Sequence, residues 1–124
     1  MQRNRPPLAR RRLAAAQALG ESVAISAIVL FELQYGIARS QRVQQNAEWL
    51  RAFLAGGVGV LAFGWDDATI AGNLRQALAS LGTPIGPYDL LIAAQAIRHK
   101  LTLVTDNTAE FARVPGLTVE NWTI

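Results

Sequence analysis

Short unbroken apolar runs alternate along this chain with longer stretches of helical spacing, a pattern of buried strands separated by helices. Residues 8–19 (LARRRLAAAQAL) combine Ala, Leu and Arg, all good helix formers, and Gly20 supplies a stop. Residues 22–25 (SVAI) read as a short strand, and Ser26 caps a helix running to about Arg39. Gly36 inside that helix costs up to about 1 kcal/mol relative to Ala, which predicts close packing there. Residues 43–55 place Trp49, Leu50, Phe53 and Leu54 on one helical face, and Gly56-Gly57 ends it. A strand over 58–63 follows, then a helix over 67–81 opened by Asp66 or Asp67. Residues 82–87 (GTPIGP) form a loop by composition, and Pro87 suits the first position of a helix reaching about His99. A strand over 101–105, a helical turn near 108–112 and a strand over 117–121 complete the chain.

Strands that are apolar throughout, not alternating, are buried on both faces. The expected fold is therefore α/β: one three-layer α/β/α domain with a parallel central sheet. In such sheets sites form beyond the carboxyl ends of the strands, here just after residues 25, 63, 105 and 121.

Composition agrees with a single globular domain: 124 residues, 51% hydrophobic and 17% charged. The absence of Cys excludes disulfides and thiolate metal sites and makes a reduced, cytoplasmic setting the expectation. No run approaches the ~18 apolar residues of a membrane span, so no membrane partner is expected. The opening residues MQRNRPP carry no apolar core of a secretory signal. The formal charge is +3, and Arg3, Arg5, Arg10, Arg11 and Arg12 cluster at the start without an acid among them. Such a cluster meets RNA phosphates or an acidic protein, or is simply a solvated helix face. With His99 as the single histidine, a His-based metal site or a Ser-His-Asp triad is a poor fit, and any ionic chemistry falls to carboxylates.

Several acids occupy informative places. Glu32 has Ile28, Val29, Tyr35 and Gly36 as its helical neighbours, hence no basic partner in its column. It either faces a metal ion or a buried Arg, or stands at the edge of the apolar stripe and reaches water. Asp89 lies in the first turn of a helix continued by LLIAA, where the dipole alone favours an acid. So apolar a helix is deeply buried, and its start faces the interior or a cleft. Asp106 and Glu110, with Asn107 between them, follow the 101–105 strand. They suit Mg²⁺ or Mn²⁺ as hard oxygen ligands, or Asp-Asn merely forms a turn. Ser26 and Thr105 end strands and either orient water or phosphate or cap the next helix. Trp49, Trp65 and Trp122 are expected in the core or an interface rather than as base-stacking platforms. A carboxylate cluster holding Mg²⁺ activates water for in-line attack on a phosphodiester.

The segments SVAISAIVLFELQYGIARS, GTPIGPYDLLIAAQAI and LTLVTDNTAEFARVPGLTVENW, in that order, resemble the PIN domain and, within it, the VapC-type toxins of type II toxin–antitoxin pairs. The resemblance runs from about residue 4 to the end. It implies a PIN fold, Mg²⁺- or Mn²⁺-dependent endoribonuclease chemistry, a homodimer, and inhibition by a cognate VapB-type antitoxin. The subgroup it looks like cuts initiator tRNA. Glu32 and Asp89 match the family's acidic metal ligands. The Thr-x-Asp/Asn pattern falls on Thr105, Asp106 and Asn107, and Glu110 matches the acid before the Phe. The resemblance thus implies catalytic roles for Glu32, Asp89, Asp106 and Thr105, with Glu32, Asp89 and Asp106 or Glu110 as metal ligands. Arg11, Arg12 and Arg39 are the expected RNA contacts.

One departure matters. Family members open with a strand ending in Asp-Thr-Asn, whose Asp is a principal metal ligand, and this chain has no such segment. The expectation is a first strand missing through a late-assigned start or a degraded gene, rather than a genuine short form. Two functions therefore compete: a VapC-like endoribonuclease, and a catalytically weak or inactive PIN-fold module that binds antitoxin or dimerises. A phosphatase-like receiver lacks the nucleophilic Asp at a first strand.

Overall fold

The structure, a computed structural model, describes residues 8–122, with side chains from residue 11 onward. Arg3, Arg5 and the side chain of Arg10 lie outside the described residues. The element order is α1 (Leu8–Ala18), β1 (Val23–Ser26), α2 (Ala27–Ala38), α3 (Val43–Ala55), β2 (Val58–Leu61), α4 (Trp65–Ser80), α5 (Pro87–Arg98), β3 (Leu103–Val104), α6 (Thr108–Phe111) and β4 (Val119–Glu120).

The strands pair in parallel, as expected of an α/β domain, with Val23 opposite Val58 and Leu103 opposite Val119. The single central sheet is not formed. The described residues contain two separate two-stranded sheets, β1–β2 and β3–β4, and no strand precedes β1. The strands are also shorter than their apolar runs. β2 stops at Leu61 because the carbonyls of Leu61 and Ala62 accept from Gln95 Nε2, at 3.2 and 3.0 Å, rather than from another strand.

The core sits under β3–β4. Leu78 of α4, Leu90 and Ala93 of α5, Phe111 of α6 and Val114 are buried together, with Leu103 and Val119 packed against them. As predicted, α5 is the most buried helix: Leu90 and Ile92 to Ala96 are buried. The smaller β1–β2 side buries Ala16, Leu50 and Val58. Its helix α2 buries none of its residues fully, despite being largely apolar.

Local chemistry sets the helix starts. Ser26 Oγ accepts the Ile28 amide at 2.9 Å and caps α2, the second of the roles open to it. α4 begins at Trp65, ahead of the expected residue 67, because Asp67 Oδ2 reaches back to accept the Gly64 amide at 2.7 Å. Asp67 is fully buried, and Arg98 meets it at 3.4 Å while also pairing with Asp66 at 3.5 Å. A buried carboxylate needs such partners.

Candidate acidic site

Three elements bring acids to one end of the molecule. β1 leads into α2, which carries Glu32; the 82–86 loop leads into α5, which carries Asp89 in its first turn; β3 leads through a turn into α6, which carries Glu110. Glu110 Oε1 accepts the Gly86 amide at 2.6 Å, and Oε2 accepts Asn107 Nδ2 at 2.8 Å. The same Asn107 amide lies 3.5 Å from Asp89 Oδ2. A Cβ on Gly86 would stand 3.4 Å from Glu110 Oε1 and 3.8 Å from Asp89 Oδ2, so a glycine lets the loop backbone approach both acids.

The electrostatics separate the two carboxyls. Asp89 is raised from 3.8 to about 6, first by burial, then by its hydrogen bond with Glu110 and the charges of Glu110 and Glu32. Glu110 is lowered, chiefly by the Gly86 amide and then by Asn107. Near pH 6 the pair therefore divides its labour: Glu110 is the anion, and Asp89 is poised to hold or give up a proton.

The expected residues separate on this geometry. Asp89 and Glu110 are joined through Asn107, and the charge of Glu32 reaches Asp89 as the weakest of its influences. Glu32 is nonetheless exposed, the second of its two sequence readings. Asp106 is exposed and no hydrogen bond ties it to the cluster; the neighbouring Asn107 does that work instead. Thr105 Oγ1 accepts the Asn107 amide at 3.1 Å, so it shapes the turn that aims Asn107. Among the described residues, no three His, Asp or Glu side chains are arranged to cage a metal ion.

The arginines separate too. Arg12 is held by Glu120 at 3.6 Å and lies 5.6 Å over the Trp122 ring, tying α1 to the chain's end rather than facing a ligand. Arg11 is exposed on α1. Arg39 lies over the Tyr35 ring and lines a cavity with Phe31, Glu32, Tyr35, Gly36 and Tyr88. Sequence reasoning passed over this cavity, since it read Gly36 as a packing contact. A Cβ at Gly36 would meet nothing within 4 Å. Of the three tryptophans expected in the core or an interface, Trp65 is exposed, Trp49 stacks on Phe53 with half its surface in solvent, and Trp122 is half-buried beneath Arg12.

Parallel strand pairs under helices, with Asp89 and Glu110 bridged by Asn107 beyond β3, define an α/β domain with an acidic pair at one end. The chain belongs to the PIN domain family, whose pattern matches residues 2–117, and to its VapC branch. It is 44% identical over 105 residues to ribonuclease VapC2 of Rickettsia felis, covering 85% of this chain and 78% of that protein. It is 41% identical over 98 residues to a tRNA(fMet)-specific endonuclease VapC of Shigella flexneri, covering 79% and 74%. Among solved structures, VapBC2 of Rickettsia felis bound to a promoter DNA fragment superposes with a TM-score of 0.85 at 42% identity, covering 91% of this chain and 84% of that one. DNA-bound VapBC of Salmonella typhimurium gives 0.86 at 36% identity, covering 97% and 88%.

Proposed function

We propose that the chain is a metal-dependent endoribonuclease, the toxin of a type II toxin–antitoxin pair, cutting tRNA by water attack on a phosphodiester in the cytoplasm. The observation that carries this reading is the Asp89–Glu110 carboxyl pair bridged by Asn107, in a chain similar over most of its length to proteins named ribonucleases. Mg²⁺ or Mn²⁺ is the implied ion. Mg²⁺ commonly takes one or two carboxylates and fills its remaining positions with water and phosphate oxygens, so the absence of a three-acid cage among the described residues is compatible with it. Glu32, Asp89 and Glu110 would hold the ion. When bound, such an ion neutralises phosphate charge and acidifies water.

The chain's own residues prepare that chemistry. The Gly86 amide and Asn107 keep Glu110 ionised and oriented. Asp89 must give up its proton to hold a cation, so its hold on the ion tightens as pH rises through about 6. Arg39 offers a cation beside Glu32 to draw in the RNA backbone. Exposed Trp65 and Trp49 supply apolar surface for protein partners, which supports a VapB-type antitoxin and a homodimer.

The test is RNA cleavage with Mg²⁺, with Mn²⁺ and with chelator, comparing the chain with Glu32→Gln and Asp89→Asn. Metal-dependent cleavage lost in both variants supports the reading; equal activity in all three proteins removes the site assignment. The second reading is a weak or inactive module that binds antitoxin or dimerises. It is favoured by the exposure of Glu32 and the lack of a preformed cage among the described residues. Co-purification with an antitoxin and no cleavage at high Mn²⁺ would select it.

A further inference from the structure

The cavity beside the acids has features that neither packing nor the carboxylate chemistry uses. It encloses about 520 Å³, within the range of roughly 300–1,000 Å³ typical of small-ligand pockets. Three aromatic rings face it while largely in solvent: Phe31 is 51%, Tyr35 60% and Tyr88 48% exposed. Phe31 and Tyr88 meet edge to face, 5.6 Å between ring centres, and join α2 to α5. Each of these two rings immediately precedes a site acid, Glu32 and Asp89. The aromatic pair and the acidic pair therefore lie side by side across the same two helices. Gly36 lines the cavity in mid-helix, where glycine is unfavourable, yet a Cβ there would touch nothing within 4 Å. The space above it is kept open at the expense of helix propensity. The Arg39 guanidinium stands 5.5 Å from the centre of the Tyr35 ring and forms no ion pair with an acid among the described residues.

Resting on the RNA-cleaving reading, we propose that this cavity is a subsite for one unpaired nucleotide of the RNA next to the scissile phosphate. Its base stacks on the exposed aromatic rings over Gly36, and its phosphate meets Arg39. Unpaired RNA bases are recognised by stacking on aromatic rings and guanidinium planes. Such stacking tolerates different bases, because every base has a π-face. The subsite thus accepts an unpaired nucleotide beside the acids without choosing a particular base.

The experiment measures binding of short single-stranded RNAs in which 2-aminopurine steps along the strand, with Ca²⁺ replacing Mg²⁺ to suppress cutting. A Cβ at Gly36 meets no neighbour and Leu improves helix propensity, so Gly36→Leu projects into the groove and is expected to fold with an unchanged or raised melting temperature. The expected result is quenching at one strand position by the unsubstituted chain. Affinity falls by about fivefold to a hundredfold in Gly36→Leu, the range that stacking of one base commands. Placing an abasic site at that strand position removes the difference between the two proteins. Equal affinity and quenching in Gly36→Leu overturns the subsite, and so does a change confined to oligomeric state or antitoxin binding, which makes the cavity a seat for protein. Metal-dependent cleavage by the unsubstituted chain is measured in parallel. If cleavage persists while Gly36→Leu binds RNA normally, the subsite falls and the nuclease reading stands; if the chain neither binds nor cuts RNA, both fall.

Discussion

Asp89 and Glu110, on different elements, meet at one side chain: Asn107 Nδ2 donates to Glu110 Oε2 at 2.8 Å and lies 3.5 Å from Asp89 Oδ2, and burial with the neighbouring acids keeps a proton on the pair into mildly acidic conditions. Glu110 is lowered and Asp89 raised to about 6, which makes Asp89 the carrier. The folded state then binds more protons than the unfolded state between 3.8 and about 6. Stability contributed by Asp89 is present below its unfolded value and lost as pH rises through about 6. Glu110 acts oppositely: its contribution is present above 4.5 and lost as pH falls through its lowered value. Urea midpoints recorded in chelator should therefore fall between 3.8 and about 6, and Asp89→Asn should flatten that fall. An unchanged profile in Asp89→Asn would show that another group carries the proton.

Glu110 and Asp106 exchange the prominence that their sequence neighbourhood suggests. Glu110→Gln should lower metal-dependent RNA cleavage by at least about tenfold, the scale seen when groups around a metal are removed. Asp106→Asn should change it little, because Asp106 stands in solvent outside the hydrogen-bonded cluster. Initial rates at saturating Mg²⁺ distinguish the two, and a larger loss in Asp106→Asn would reverse the assignment.

The elements were readable in the sequence where one local cause decides them. α3 has the bounds its amphipathic spacing and Gly56-Gly57 imply, and α5 begins at Pro87 as its ring geometry favours. The strands were overestimated. Apolar runs continue past the last paired residue, and pairing depends on distant partners such as Gln95, which no local window contains. At the site, Glu32 stood out for lacking a basic partner in its helical column, Asp89 for opening an apolar helix, and Glu110 for following a strand end. Asp106 also stood out, but turn geometry gives the inward direction to Asn107. Gly36 misled because a helix glycine signals either close contact or deliberate space, and only the tertiary surroundings distinguish them.

Asp67 is a structural carboxylate, not a reactive one. Asp67→Ala removes the acceptor for the Gly64 amide and one anion of the Arg98 pair. It should lower unfolding free energy by roughly 1–3 kcal/mol, the penalty for leaving a buried donor unpaired. Arg98 retains Asp66, which limits the loss. Chemical denaturation measures it, and RNA affinity of the folded fraction should not change.

Gln95 is 1% exposed, and its Oε1 has no hydrogen-bond partner. Its Nε2 holds the Leu61 and Ala62 carbonyls. Gln95→Leu relieves the unpaired oxygen but strands two carbonyls, so a net destabilisation of about 1–2 kcal/mol is expected. A urea midpoint at or above that of the unsubstituted chain would show that the orphaned oxygen outweighs the clasp.

The division of the strands into two pairs turns the acidic centre into a structure built across a seam. Two-stranded sheets are too small to persist independently. Here α5 spans the join, through Leu90 and Ala93 on one side and Gln95 on the other. Glu32 rides with the first pair, Glu110 with the second, and Asp89 sits on the spanning helix itself. Opening along this fault line alters the spacing of the acids before it unfolds either sheet pair, so chemistry proposed for these acids would be the first to respond.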